Sequence, residues 1–161
     1  MTAPFEIRPA VPTDVEAVAQ LVRDLAAYER EPDAAQATPE DFRVALFGDD
    51  PSASCLVATV GDVPVGLALW FRTFSTWTGR PGMWLEDLFV QPDHRGAGIG
   101  KALLSALART CQERGWTRIE WEVLDWNAPS IAFYDSLDAM PQGGWTAYRL
   151  TGDALASLAT G

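Results

Sequence analysis

Apolar residues recur along this chain with two different spacings, and each spacing predicts one kind of secondary structure. Alternating apolar and polar positions, or a short apolar run, predict strands over residues 5–8, 56–60, 63–74, 83–90, 118–123 and 145–150. Apolar residues three and four positions apart predict helices over residues 15–25, 38–47, 99–114 and 129–137, with a terminal helical turn or two over 152–159.

Short capping and turn signals fix several ends of these elements. Thr13 with Glu16 predicts a capping box for the first helix, and Thr38 before a proline predicts the start of the second. Gly61 predicts a hairpin turn between two strands, and Gly115 predicts the end of the third helix.

The order of the elements predicts a single domain over residues 1–161. Strands alternate with helices, so the fold class is α/β (α+β), with a mixed central sheet of about six to seven strands flanked by about four helices. The sequence contains no repeat, no low-complexity tract and no linker that would divide it.

Composition and charge restrict the partners. The 48% of hydrophobic and 21% of charged residues are typical of a soluble globular protein. A net charge of −10 argues against nucleic acid, which needs a basic surface. The longest apolar run, residues 63–71, is too short to cross a bilayer, and charges interrupt the first thirty residues where a signal peptide would need an apolar run. We therefore expect a cytoplasmic protein that binds neither nucleic acid nor a membrane.

The few thiol and imidazole groups suggest no metal. Cys55 and Cys111 fall in a predicted strand and a predicted helix, which indicates two reduced core thiols. His94 is the single histidine, so a zinc site is not expected.

The segment from Arg95 to Gly100 carries the clearest chemical signal. It joins a predicted strand to a predicted helix, an arrangement in which glycines let phosphates approach the backbone and the helix start supplies N–H donors. A P-loop would need Ser or Thr where Ala102 stands, and a dinucleotide fingerprint would need glycine where Lys101 stands. The pattern that fits is Arg-x-x-Gly-x-Gly, with its first glycine at Gly98.

This motif resembles the acyl-CoA signature of the GCN5-related N-acetyltransferases (GNAT), and the element order of nearly the whole chain is similar to theirs. The similarity is strongest to the branch that acetylates diamines (spermidine, spermine) and thialysine. The resemblance implies a GNAT fold, acetyl-CoA as co-substrate without a metal, a small-molecule amine as acceptor, and a homodimer. The segments that carry it are Ala27-Tyr28-Glu29, Trp77, Leu85-Glu86-Asp87-Leu88-Phe89-Val90, Trp126-Asn127-Ala128-Pro129-Ser130, Phe133-Tyr134 and Trp145.

The same resemblance implies where acetyl-CoA would bind. The pantetheine amides would pair with a strand edge, and the pyrophosphate would lie on the glycine-rich segment. Asn127 is either the N-cap of the following helix, a contact of the cofactor arm, or both. The implied cofactor-binding residues are Leu88, Phe89, Val90, Arg95, Gly96, Ala97, Gly98, Ile99, Gly100, Lys101, Asn127 and Tyr134.

Three side chains are candidates for proton transfer. Glu86 and Asp87 are adjacent carboxylates in an apolar strand, and a strand bulge would let both approach one site. From the residues alone, one could instead face solvent while the other is paired. The resemblance implies that Glu86 is the base, acting through water, and that Asp87 shapes the amine pocket. It also implies that Tyr134 protonates the departing thiolate, although composition alone would make this tyrosine part of a buried aromatic pair.

The amine pocket is expected from the same resemblance at Tyr28, Glu29, Trp77, Glu86, Asp87 and Trp145. Aromatic faces and carboxylates suit an alkyl chain with ammonium ends. The open alternatives are that Tyr28 and Trp145 belong to the core and that Glu29 is part of a solvated charged run.

The expected function is acetyl-CoA-dependent N-acetylation of a primary amine on a small molecule, polyamine-like or lysine/thialysine-like. Transfer would be direct, in a ternary complex, because neither cysteine has a setting that would activate a thiolate. One alternative is an N-acetyltransferase for proteins or peptides. An alternative of another class is a sensor module that binds CoA without catalysis.

Overall fold

The computed structural model of the chain describes residues 4–161. These residues form two compact units, the first ending at Glu122 and the second covering Val123–Gly161. The first unit contains a five-stranded sheet whose strands lie side by side in chain order. The strands are β1 (Phe5–Pro9), β2 (Ser54–Val60), β3 (Val63–Ser75), β4 (Arg80–Val90) and β5 (Ile119–Glu120).

The strand directions make this a mixed sheet. Strands β1 to β4 are antiparallel to their neighbours, and β5 runs parallel to β4. The predicted hairpin at Gly61 is confirmed, because β2 ends at Val60 and β3 begins at Val63. The predicted α/β class is confirmed, but the sheet has five strands rather than six to seven.

Three helices complete the first unit: α1 (Val15–Tyr28), α2 (Pro39–Phe47) and α3 (Ile99–Arg114). The hydroxyl of Thr38 accepts a hydrogen bond from the Asp41 N–H at 3.2 Å, which confirms the predicted cap of α2. Gly115 ends α3 in the left-handed conformation, with φ 67°. The predicted inner face of α3 is buried at Ile99, Leu103, Leu107 and Cys111.

The start of α1 differs from the predicted capping box. A 3-10 turn over Pro12–Asp14 precedes the helix, so Thr13 is not its cap. The Asp14 carboxylate accepts the Val11 N–H at 2.8 Å and pairs with Arg8 at 2.7 Å. The Arg8 hydrogen bond is the main reason why the pKa of Asp14 is lowered. A largely buried ion pair therefore holds the start of α1 against β1.

Alternate residues of the central strands are buried on opposite faces of the sheet. Leu67 and Leu69 belong to a hydrophobic cluster with residues of α1 and α2. Trp70 lies on the opposite face, together with Leu85 across the β3–β4 pair. Helix α3 contacts β3 and β4 but contributes no residue to the α1/α2 cluster, so it covers this second face.

Strand β5 is shorter than predicted. Residues 118–123 alternate as a strand should, but β5 pairs with β4 only at Met83 and Trp84. The pairing stops two residues before Glu86, where β4 is irregular. Bulges interrupt ladder pairing locally, which accounts for the short strand.

The second unit contains two helices, α4 (Ala128–Asp135) and α5 (Gly152–Thr160), which makes five helices over residues 4–161 rather than about four. The strand predicted over residues 145–150 is not formed, and that prediction is wrong. A strand needs a neighbour for its N–H and C=O groups, and the second unit contains no other strand.

Candidate active site

A β-bulge at Glu86 is the main irregularity of β4. Leu85 lies opposite Trp70, and Asp87 lies opposite Leu69, so Glu86 has no partner residue on β3. One extra residue turns every following side chain to the other face of a sheet. Leu85 therefore faces α3, whereas Asp87 faces α1. Neighbouring side chains of a regular strand point to opposite faces, so both carboxylates can approach one site only if the strand is bulged here.

Asp87 is the less exposed of the two carboxylates at the bulge. Its pKa is raised from 3.8 to about 6, mainly by burial and further by the negative charges of Glu86 and Glu29. Burial also raises the pKa of Glu29, which is half-buried just after the last residue of α1. The structure thus brings together three predicted site residues, Glu29, Glu86 and Asp87, in one acidic region.

Glu86 has a different environment from its neighbour. Its side chain is exposed, and its Oε2 accepts a hydrogen bond from the Trp84 Nε1 at 2.8 Å. This bond holds the carboxylate beside the strand. The two adjacent carboxylates therefore differ in burial, since Glu86 is exposed and Asp87 is not.

Tyr28 and Arg95 connect α1 to the glycine-rich turn. The Arg95 guanidinium carbon lies 4.8 Å from the centre of the Tyr28 ring and 5.4 Å from that of Phe89. The Arg95 Nε also donates to the Val90 carbonyl oxygen at 2.8 Å. Arg95 was expected near a pyrophosphate. It links a predicted cofactor segment to Tyr28, a predicted amine-pocket residue.

The glycine-rich turn has the conformation that its glycines suggested. Gly96 and Gly98 have φ values of 78° and 84°, which side-chain-bearing residues rarely adopt. Gly98 is the N-cap of α3, and no side chain of the described residues caps this helix start. The first turn of α3 contains Lys101 and no acidic residue. Its unpaired N–H groups form an electropositive site for an anion.

The edge of β4 is open beside this turn within the first unit. Pairing with β5 ends at Trp84, so none of the following residues of β4 pairs with β5. The side chain of Phe89 is buried in the α1/α2 cluster, and Leu88 and Val90 are half-buried. These residues therefore present mainly their backbone N–H and C=O groups to a ligand.

The sequence matches a known family over most of its length. A model of the Acetyltransferase (GNAT) family matches residues 18–138. The chain belongs to the GNAT family. It is therefore an acetyltransferase enzyme, as the motif at Arg95 and the element order indicated.

Relatives of this GNAT enzyme act on small amines. The chain is 34% identical to a thialysine N-epsilon-acetyltransferase of Sus scrofa, over 95% of this chain and 96% of the relative. A thialysine N-epsilon-acetyltransferase of Caenorhabditis elegans is 31% identical, over 96% and 97%. An L-ornithine N5-acetyltransferase of Arabidopsis thaliana is 36% identical over 74% of this chain and 53% of the relative.

A solved structure supports the fold of the GNAT chain. An integron cassette protein from the mobile metagenome of V. cholerae superimposes with a TM-score of 0.81 over 98% of each chain, at 25% identity. An aminoglycoside acetyltransferase from a soil metagenome superimposes with a TM-score of 0.77 at 21% identity, over 91% of this chain and 97% of that one, a similarity that shows the fold alone.

Three predicted site residues of the GNAT enzyme belong to its second unit. Asn127 is buried, and its Oδ1 accepts the Ser130 N–H at 3.4 Å, which confirms its predicted role as the N-cap of α4. Tyr134 lies in α4, and its ring centre is 5.4 Å from that of Phe133. Trp145 lies in an irregular segment and is exposed.

Trp77 is not brought to the carboxylates within the first unit. It lies in the turn between β3 and β4 and is exposed. Arg80 follows this turn as the first residue of β4, and the usual rise of a strand puts Glu86 about 20 Å further along. The place of Trp77 in an amine pocket stays a prediction.

Residues 4–161 show neither a metal cluster nor a membrane-spanning helix. No group of three or more His, Cys, Asp or Glu side chains in this range is arranged to hold a metal ion. None of the helices in the same range combines the length and the apolar character that crossing a bilayer requires.

Proposed function

We propose that this GNAT enzyme transfers the acetyl group of acetyl-CoA to a primary amine of a small molecule, polyamine-like or lysine/thialysine-like. The observation that carries the proposal is the bulge of β4, which sets Asp87, with its pKa of about 6, beside Glu86 and Glu29. The activities named for the thialysine and ornithine acetyltransferases support the same class of acceptor.

The residues of the first unit fit acetyl-CoA. The Gly96 and Gly98 backbone and the start of α3 suit a pyrophosphate, and the open edge of β4 after Trp84 suits the amides of pantetheine. When bound, acetyl-CoA supplies an activated acetyl thioester. We propose that a backbone N–H of Phe89 or Val90 donates to the thioester oxygen as negative charge develops there.

The carboxylate pair can remove the proton that blocks attack by the amine. A lysine-like amine has a pKa of about 10.4, so it arrives protonated. A base is most effective when its pKa lies near the working pH, and Asp87 meets this condition better than an ordinary carboxylate. We propose that the pair accepts the proton, with Glu86 relaying it through water.

We propose Tyr134 as the acid that protonates the departing thiolate. Its phenol is a proton donor of suitable type, and its position in the sequence matches the tyrosine that the family places in α4. Asn127, which shapes the start of the same helix, is proposed to contact the cofactor arm.

Transfer would proceed without a covalent enzyme intermediate. Burial raises the pKa of the Cys55 thiol to about 12, and burial also raises the pKa of Cys111. A thiol with a raised pKa is a poor nucleophile at neutral pH because little thiolate is present. We therefore propose that the amine attacks the thioester directly, in a ternary complex.

The acidic region favours a cationic acceptor. Burial and then the negative charges of Glu86 and Glu29 raise the pKa of Asp87, and a bound ammonium group would relieve the repulsion among the carboxylates. We also propose, from the family resemblance, a cytoplasmic homodimer. Sedimentation of the purified chain would test the dimer.

The test is release of free CoA thiol from acetyl-CoA with a panel of spermidine, putrescine, thialysine, lysine and a peptide with a free N-terminus. We expect turnover with a small amine, and a large loss in Glu86→Gln and Tyr134→Phe but not in the remote control Glu113→Gln. Turnover with the peptide alone would favour a protein N-acetyltransferase. Binding of acetyl-CoA without thiol release for any amine would favour a sensor module and overturn the proposal.

A further inference from the structure

A groove lies in the first unit, away from the carboxylates. It has a volume of about 300 Å³. Its wall is formed by the start of β2, the middle of β3 and the end of α3. We call this cavity the Trp/Arg groove, and its lining includes Ser52, Ser54, Trp70, Arg72, Arg114 and Trp116.

The Trp/Arg groove is distant from the proposed reaction site. Helix α3 has 16 residues, and the glycine-rich turn lies at its start, whereas Arg114 is its last residue. At 1.5 Å per residue, the two ends are about 24 Å apart. No groove residue belongs to the segments that resemble the acetyl-CoA or amine sites of the family.

Two arginines give the groove a local positive charge. The protein has 22 acidic and 12 basic residues, yet neither Arg72 nor Arg114 forms an ion pair within residues 4–161. Arg8, Arg43 and Arg118, by contrast, each pair with a carboxylate. Two guanidinium groups without an acidic partner, in a protein of net charge −10, suit an anionic ligand.

Two indole rings lie beside these charges, the buried ring of Trp70 and the half-buried ring of Trp116. Trp70 and Trp116 meet edge to face, with ring centres 5.8 Å apart and an angle of 75° between the planes. The Arg114 guanidinium carbon lies 5.3 Å from the Trp70 ring centre and 5.0 Å from that of Trp116. The arginine is thus held over both rings, where less of its flexibility is lost on binding an anion.

A buried donor with no acceptor points to the same place. Trp70 is 5% exposed, and its indole Nε1 has no hydrogen-bond partner in the part of the chain that the structure describes. Buried donors are almost always paired in folded proteins. Trp70 lines the groove, so an acceptor atom of a ligand bound there is a candidate partner for this N–H.

We propose that the Trp/Arg groove binds a small organic anion, namely a carboxylate or phosphate ester that carries a flat apolar group. Arg72 and Arg114 hold the anionic oxygens, the half-buried ring of Trp116 holds the flat group, and the hydroxyls of Ser52 or Ser54 are available as further donors. The site takes ligand independently of acetyl transfer.

Tryptophan fluorescence of the full chain, without acetyl-CoA, tests the site. Benzoate and phenyl phosphate are the two anionic probes and separate a carboxylate from a phosphate ligand. Inorganic phosphate tests the anion alone, and benzylamine tests the flat group with the opposite charge. We expect saturable binding of at least one anionic phenyl probe with a Kd of about 1 mM, and weaker or no binding of inorganic phosphate and benzylamine.

Two variants and a matched control locate the binding. Arg114→Gln and Arg72→Gln should each weaken the phenyl anion about ten-fold, the loss of one charged hydrogen-bonding contact. Arg109→Gln, which removes an exposed arginine of α3 outside the groove, should leave the Kd unchanged. Since Arg114 also packs on two rings, Arg72→Gln keeps the test valid if Arg114→Gln does not fold.

Two results would overturn the proposal. They are the absence of saturable binding by both phenyl anions, and equal affinities in wild type and both groove variants.

Discussion

Replacement of Asp87 by asparagine should stabilise the fold at neutral pH while it removes a carboxylate from the site. The pKa of Asp87 is raised from 3.8 to about 6 because the charged form is buried and lies near Glu86 and Glu29. A folded state that binds the proton more tightly than the unfolded state loses stability as pH rises. The change of about 2 pKa units corresponds to about 3 kcal/mol at about 1.4 kcal/mol per unit.

The pH range of the effect follows from the two pKa values. Below about pH 4, Asp87 is protonated in both states, and its charge costs nothing. Between about pH 4 and 6 the loss of folding stability caused by the Asp87 charge grows, and above about pH 6 this loss is complete. An asparagine side chain carries no charge at any pH. The substitution Asp87→Asn should therefore raise the free energy of unfolding by up to about 3 kcal/mol at pH 7 relative to its effect at pH 4.

Urea unfolding of wild type and Asp87→Asn at a series of pH values measures this difference. The comparison between pH values cancels any fixed cost of placing an amide at this position. Glu113→Gln, which replaces an exposed carboxylate of α3, serves as the control and should show no comparable pH dependence. An equal effect of Asp87→Asn at both pH values would refute the raised pKa, and a loss of stability confined to neutral pH would show that the carboxylate is stabilised in the fold.

Three further substitutions test other parts of the structure. Asp14→Asn should lower the free energy of unfolding by about 2 kcal/mol at neutral pH, because it breaks the largely buried pair with Arg8; urea unfolding should show the difference shrinking below about pH 4, since the pKa of Asp14 is lowered. Arg95→Ala should weaken acetyl-CoA binding about ten-fold by calorimetry, because the contacts to Tyr28 and the Val90 carbonyl are lost. Gly98→Ala should lower the free energy of unfolding, measured by thermal denaturation, by about 1 kcal/mol, because residue 98 has a φ of 84° even though the space beside it is open.

The glycine-rich turn and α3 could be predicted because their signals are local. The spacing of Ile99, Leu103 and Leu107 predicts the buried face of α3 without knowledge of the element that packs against it. The positive φ at Gly115 follows from the left-handed residue on which helices commonly end. Asp138 adopts a φ of 60° in the left-handed region, which aspartate tolerates better than most residues.

Strand lengths could not be predicted because they depend on neighbours. Residues 118–123 alternate correctly, yet only Ile119 and Glu120 pair, since the partner strand becomes irregular at Glu86. Residues 145–150 also alternate, but the second unit contains no second strand for them. Alternation shows that a segment can be a strand, whereas pairing depends on the rest of the sheet.

The site was partly readable from the sequence. Two adjacent carboxylates in an apolar strand suggested a bulge, but not which of them is buried. That depends on the position of α1, whose end brings Glu29 near Asp87. Nor did the sequence indicate that Arg95 would lie over Tyr28, because the two residues are far apart in the chain.

The pH dependence of kcat/KM for the best amine acceptor, compared between wild type, Asp87→Asn and Glu86→Gln, tests the central claim most directly. The account predicts that wild-type kcat/KM falls below about pH 6 as the carboxylate pair takes up a proton, and that this fall is shifted or lost in Asp87→Asn. Parallel pH profiles in all three proteins would contradict the account, because proton removal would then not involve the carboxylates at the bulge.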